Sequence, residues 1–293
     1  MLQERTGGDL IFNMQGFSFS FNKIFVLKSL GESDTVADDL YYNTIVPSCE
    51  NVGLAKELIE IYDKSDWDKA IEKICQDKLS HPLIHFEMHG DDKKGVELRL
   101  GDYIPWAEVI DNLRRINVRS GFNLVITMAT CFSTLLANHI AMVKKPAPYL
   151  ISITANKKVL PGVTYAMYSI FFKELISTSD LHGALKKVEK EWPCITKQFA
   201  LITVPFLFED AWKGVTKLYE KKEDVVRHFY HTLPEVQDRE LLREEFEGYK
   251  EGFVYNCTPE NLNRYYQRCR DEFFMYDRFP ENRKRFSPID TIC

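Results

Sequence analysis

Two short stretches of this chain end on residues able to do chemistry. Leu83-Ile84-His85-Phe86-Glu87-Met88 is a run of strand length followed by His89-Gly90, and Leu124-Val125-Ile126-Thr127-Met128 leads through Ala129-Thr130 to Cys131-Phe132-Ser133. A thiolate attacks carbonyl carbon, and an imidazole within reach can take the thiol proton and later return it to a leaving amine. Gly90 carries no side chain, so its N–H can approach a substrate carbonyl. With the N–H of Cys131 it forms a candidate oxyanion hole. The condition is geometric: His89 and Cys131 meet only if their strands are neighbours in a parallel sheet and emerge at the same edge.

Two other readings compete. A cysteine between a buried strand and a helix is often a small buried hydrophobe, although a helix N-terminus there favours thiolate. His85, Glu87 and His89 alternate along one strand and could share a face to ligate a metal. No fourth ligand stands out, and a partly buried polar pair is the preferred reading of His85 and Glu87. Glycine-rich phosphate loops, G-x-S-x-G elbows and HExxH helices are absent from the sequence. His228 and His231 sit in a charged helical stretch and are assigned no role.

The surrounding pattern supplies the elements that must position these residues. Residues 17–21 alternate at period two before the apolar run 24–27, an outer strand leading into a buried one. A helix is expected at about 38–45, closed by Pro47, and another at 65–77 with Trp67, Ile71 and Ile74 on one face. After the His89 strand come an exposed loop at 90–95, a short strand at 96–100 and a helix at 106–116. A helix at 132–144 follows the Cys131 run and stops before Pro146. A strand at 149–154, helical spacing at 163–190 with a break near Ser179-Asp180, and a strand at 199–206 complete the pattern. Such alternation predicts an α/β sandwich around a largely parallel sheet, whose sites form at the carboxyl ends of strands. The domain is expected over 13–210, with an aromatic-rich helical extension at 211–293 that folds on the body or on a partner.

With 293 residues, 45% hydrophobic and 28% charged, the chain can bury a full core. A net charge of −5 without a long Lys/Arg block argues against nucleic acid as the primary partner. The seven cysteines (49, 75, 131, 194, 257, 269 and 293) are odd in number and lack zinc-knuckle spacing, which suits reduced thiols; Cys293 is the one expected to be freely exposed. No apolar run reaches membrane-spanning length, and Glu4, Arg5 and Asp9 interrupt any signal-peptide core. The expectation is a cytoplasmic protein without membrane attachment.

These features resemble the caspase-like cysteine peptidases, and most closely their bacterial CHAT-type members. The resemblance rests on the strand with His-Gly (82–90), the loop into Gly95-Val96-Glu97-Leu98, the Trp106 helix ending at Leu113 to Asn117, and the Met128-to-Ser133 turn. His89 and Cys131 lie 42 residues apart, against about 50 in caspases. The likeness is good over 80–160 and extends to 20–210 as a fold. It implies a three-layer caspase-hemoglobinase sandwich and endopeptidase activity through a Cys-His dyad, with His89 as general base and Cys131 as nucleophile, and without metal or organic cofactor. It also implies a dedicated protein substrate in bacterial signalling or antiviral defence, and an activating or regulatory protein at the C-terminal helices. An inactive caspase-like interaction module is the alternative. Family members that cleave after Arg or Lys often carry an acidic residue two positions before the cysteine. That position is Ala129, so the P1 residue is left open. Topology adds Thr154 and Asn156, at the end of the next strand, as candidate neighbours of the substrate pocket.

Overall fold

The computed structural model describes residues 10–14, 17–77, 81–140, 145–220 and 259–286. Strands β1 (Leu10–Met14) and β2 (Phe17–Phe21) form an antiparallel hairpin outside the main sheet. The main sheet is built from β3 (Lys23–Ser29), β4 (Ala55–Glu60), β5 (Pro82–Asp91), β8 (Val125–Met128), β9 (Ile151–Ala155) and β10 (Phe199–Thr203). It runs β4-β3-β5-β8-β9-β10. The first five are parallel, and β10 pairs antiparallel with β9. Two short strands, β6 (Gly95–Glu97) and β7 (Tyr103–Ile104), extend the end of β5 as a small antiparallel ribbon.

Helices α1 (Val36–Leu40), α2 (Val46–Val52), α5 (Pro161–Thr178) and α6 (Leu181–Glu191) pack together as one group. A second group joins α3 (Lys64–Gln76), α4 (Trp106–Arg119) and a 3-10 helix (Ser133–Ile140). Right-handed crossovers put α1 and α2 on the face opposite to α3, α4 and the 3-10 helix, because the chain runs outward from β3 to β4 and then turns back across the sheet to β5; α5 and α6, on the connection to the antiparallel β10, pack with the first group. Consecutive residues of β5 confirm the layering. The His85 ring lies 4.5 Å from Tyr168 and 5.2 Å from Phe172 of α5, whereas the Phe86 ring lies 6.2 Å from Trp67 of α3.

Several sequence expectations need correction. Pro47 does not close the first helix. The chain stays helical from α1 through a wide π-type turn at Tyr41–Ile45 into α2, where Pro47 falls in the first turn. There its missing N–H costs least, and the wide turn ahead of it absorbs the break in the ladder. The break in the 163–190 region is real: α5 ends at Ser179 in the left-handed conformation (φ 57°), and Asp180 caps α6 by accepting the Gly183 N–H at 2.9 Å. The final strand is shorter than its apolar run, which turns into α8 (Val204–Glu220) directly after Thr203.

Past α7 (Pro193–Thr196), α8 runs through residue 210, where composition marks the edge of the body. The described part of the C-terminal region, α9 (Pro259–Phe273) and α10 (Asn282–Arg285), shares the body's core. Phe122, at the entrance to β8, sits 5.4 Å from Phe286 and 6.3 Å from Phe274. Arg285 donates to the Phe122 carbonyl at 3.0 Å and to Asn123 at 2.9 Å. Among the described residues no helix is long and apolar enough to cross a membrane. His228, His231, Cys257 and Cys293 lie outside the described residues.

Candidate active site

Strand register brings the two chemistry-bearing segments to one edge. β5 and β8 are adjacent and parallel, with Phe86 opposite Met128, and the Ala129 N–H continues the ladder to the Phe86 carbonyl at 2.9 Å. His89 and Cys131 therefore each lie three residues beyond the same matched pair, at the carboxyl ends of their strands. β5 does not stop at Met88, as its apolar run suggests. It changes partner, leaving β3 after Met88 and pairing His89, Gly90 and Asp91 with β6. The exposed His89 thus rides on a hydrogen-bonded ribbon rather than on a loose loop.

That ribbon is anchored at both ends. Asp91 accepts the Lys93 and Lys94 N–H groups at 2.8 and 2.9 Å, and these bonds, Lys94's foremost, hold its carboxyl below the usual aspartate range. The Trp106 indole donates to the Asp91 carbonyl at 3.0 Å. Gly95 has φ 110° and presses on the Ile104 carbonyl, a site closed to any side chain. Gly90 serves a different need. A β-carbon there would overlap the Cys131 carbonyl oxygen and lie 2.7 Å from Thr130 Cγ2. The His-Gly pair is a contact with the cysteine's own backbone.

Cys131 occupies a turn rather than the first turn of an α-helix. The helix after it is of the 3-10 type and begins at Ser133. Phe132 is left-handed at φ 60°, a conformation costing a non-glycine residue about 1–3 kcal/mol. Ser133 Oγ accepts the Ala155 N–H at 2.8 Å, tying the turn to the end of β9. The Cys131 N–H has no hydrogen-bond partner among the described residues. The sulfur accepts the Val159 N–H at 3.5 Å and faces the Val159 carbonyl at 3.9 Å. No hydrogen bond joins it to His89. By contrast, burial pushes the core thiol of Cys49 up to about 12, as befits an inert cysteine. Cys49, Cys75, Cys131 and Cys194 are free thiols.

His89, Cys131 and Ala129 line one small cleft of about 40 Å3, closed by Leu30 and Asp34 from the β3–α1 connection, by Val36 at the start of α1, and by Val159, Pro161 and Thr164. Glu87 is also in its wall, although only 3% exposed. Its Oε1 receives His85 Nε2 at 2.8 Å, and His85 Nδ1 meets Thr127 Oγ1 at 2.8 Å. The network has a consistent proton arrangement: Thr127 donates to Nδ1, and Nε2–H donates to Glu87. Burial first, and the Glu87 charge second, hold the neighbouring Tyr168 phenol well above its usual range. Both nitrogens of His85 are thus spent, and among the described residues no group of three His, Cys, Asp or Glu is arranged to hold a metal.

No protein-family model and no curated protein matches this sequence. The site therefore stands on its own geometry. Thr154 and Asn156 do not line the cleft. Thr154 is buried with Oγ1 3.3 Å from Thr134 Oγ1, and Asn156 accepts from Thr134 at 2.8 Å, so both brace the turn after Cys131. Sequence reasoning missed Asp34 and Val159. Each lies on a connection after a neighbouring strand's carboxyl end, the one signal that could have found them. A larger groove, about 790 Å3 between α3 and α4, lies elsewhere, and most of its charges are paired, Arg114 with Asp111 and Arg115 with Glu72. Size does not mark the site here.

Proposed function

We propose that this protein is a caspase-like cysteine endopeptidase in which Cys131 is the nucleophile and His89 the general acid–base. The observation that carries the reading is the convergence of both residues, from adjacent parallel strands in matched register, on one cleft with Gly90 against the Cys131 backbone. The sheet order, with five parallel strands and an antiparallel sixth, also accords with the caspase-hemoglobinase architecture. Absence of a His89–thiol hydrogen bond does not oppose it, since such bonds often tighten only when substrate binds.

In the reaction, His89 takes the Cys131 proton as the sulfur bonds to the scissile carbonyl carbon. The oxyanion that forms is met by the unpartnered Cys131 N–H, with Gly90 N–H as the second donor. Collapse breaks the C–N bond, and the proton held by His89 leaves on the amine. Water, deprotonated by His89, then attacks the thioester, releasing the acid and restoring the thiol. The Val159 backbone holds the sulfur in this structure, and that hold must loosen as the sulfur attacks. We further infer a dedicated protein substrate in bacterial signalling or defence within the cytoplasm, and a regulatory partner at the C-terminal helices.

The test is cleavage-site mapping in a proteome treated with wild-type protein and with Cys131→Ala. New termini that depend on Cys131 support the peptidase. Their absence under every condition would favour an inactive interaction module, and loss only on chelation would favour a metal hydrolase.

A further inference from the structure

The groove between α3 and α4 holds charge that its own ion pairs do not use up. Arginines 114, 115, 119 and 278 line it with Lys145, against two carboxylates, Glu72 and Asp111. Three positive charges are left over, in a chain whose net charge is −5. Among the described residues the Arg119 side chain makes no ion pair or hydrogen bond. Arg278 reaches only its neighbour Asp277, at 4.0 Å, and Lys145 reaches Asp111, which already holds Arg114, at 3.9 Å. A cation in the last turn of α4 is favoured by the helix end alone, which accounts for Arg119. It does not account for Lys145, on the connection into β9, or for Arg278, between α9 and α10. The walls are also fixed in advance. Arg114 Nε donates to the Pro146 carbonyl at 2.7 Å, Asn117 Nδ2 to the Ala147 carbonyl at 2.8 Å, and the Ala147 N–H to the Phe273 carbonyl at 3.0 Å. Three segments far apart in the chain are thereby held as one frame.

We propose that this groove binds a small molecule carrying a di- or triphosphate. Such a group concentrates several negative charges in a small volume, and guanidinium forks match its oxygens. The volume of about 790 Å3 falls within the roughly 300–1,000 Å3 range of small-molecule sites. A single phosphate would leave most of that space, and most of the spare cations, unused. Arg114 is only 11% exposed, and burial draws its guanidinium below the usual range even with Asp111 beside it. A further anion offsets that burial. Val118, Cys75 and Pro146 add an apolar wall on which the organic part of a nucleotide can rest. Arg119 belongs to the α/β body and Arg278 to the C-terminal region, so a bound phosphate chain would bridge the two. The groove is separate from the Cys131 cleft, and its occupancy does not depend on the peptidase reading.

The experiment is isothermal titration calorimetry of the full chain at low ionic strength with tripolyphosphate, ATP, inorganic phosphate and a hexaglutamate peptide. Tripolyphosphate and ATP should each bind saturably at one site, and at least about tenfold tighter than the other two. Equal affinity of the pair means that phosphates alone are read, and tighter ATP means that the apolar wall takes the base; either supports the site. Arg119→Ala and Arg278→Ala, both at exposed positions where folding is not at stake, should each weaken binding at least about fivefold through loss of a charge-assisted bond. Lys186→Ala, which removes the same charge from exposed α6 on the opposite face of the sheet, should leave it unchanged. No saturable binding of tripolyphosphate or ATP overturns the inference. So does hexaglutamate or inorganic phosphate binding as tightly, affinity unchanged in both arginine variants, or an equal loss in Lys186→Ala, which would mark general attraction of anions.

Discussion

At the scale of single residues, the contact of Gly90 with the Cys131 carbonyl decides how the site is assembled. Gly90 does not have a left-handed backbone, so its requirement for glycine is purely one of space. Gly90→Ala must push the cysteine turn away or shift the β5–β6 ribbon, because the atom in the way is backbone. Overpacking of this kind costs about 1–3 kcal/mol. Urea denaturation should show a loss in that range, and kcat/KM on a cleaved peptide should fall more than tenfold. Retention of full activity would show that the close approach is dispensable. The residue types at this site were legible from the sequence, and so was their meeting, because His89 and Cys131 end runs of the same character. The acidic lining was not, since Asp34 is brought in by a connection some 50 residues earlier in the chain. The role of Gly90 was legible only in half, as an open N–H rather than as a packing contact.

Among the elements, β5 links the core to the chemistry, and β4 is the exposed edge that must be kept from pairing with other chains. β4 carries Lys56, Glu57 and Glu60, charges that discourage edge-to-edge association. Glu57 and Glu60 also join it to its surroundings. Burial works to raise the Glu57 carboxyl, but hydrogen bonds from Lys73 and Lys23 outweigh it and hold the group below its usual range. Tyr62 and then Lys28 do the same for Glu60. A carboxyl depressed in the folded state binds fewer protons there than when unfolded. Its stabilisation is therefore complete above the ordinary glutamate value, about 4.3, and is lost as pH falls through the lower folded value. Amides of β4 should lose protection, relative to their intrinsic exchange, as pH is lowered from about 5 to about 3. Glu57→Gln should remove much of that acid sensitivity; an unchanged pH profile would mean the pairs contribute nothing to the edge. Helices with clear spacing, such as α3 with buried Trp67, Ala70, Ile71 and Ile74, were readable from sequence. β4 itself, the continuation past Pro47 and the 3-10 geometry after Cys131 were not. Each depends on tertiary partners that override local preference.

For the molecule as a whole, the described C-terminal helices complete the core rather than hang from it. Phe208 of α8 meets Tyr266, Phe273 and Phe274 with ring separations between 5.3 and 5.5 Å, and Phe274 reaches Phe286 at 5.0 Å. The same cluster receives Phe122 from the entrance to β8, so the strand leading to Cys131 starts on this aromatic platform. Phe274 is fully buried, and its truncation to alanine removes a ring from a close-packed interior, with an expected cost of about 3–5 kcal/mol. A urea midpoint for Phe274→Ala close to that of wild type would mean the platform can collapse or is dispensable. Aromatic richness in the sequence foretold that this region folds on something. It could not foretell that the body itself is the partner, because the contacts of Phe122 with Phe274 and Phe286 join residues more than 150 positions apart.

The seat of Gly90 against the Cys131 carbonyl has one last consequence. His89 and Cys131 are held together through main chain, not through mobile side chains. The two strands cannot slide past each other to take the pair apart without a collision of backbone. Control of such a centre falls instead on what lies over the sulfur. In the proposed peptidase, a partner or modification that changes the hold of Val159 would govern the reaction by granting entry, while the His89–Cys131 pair beneath keeps its place.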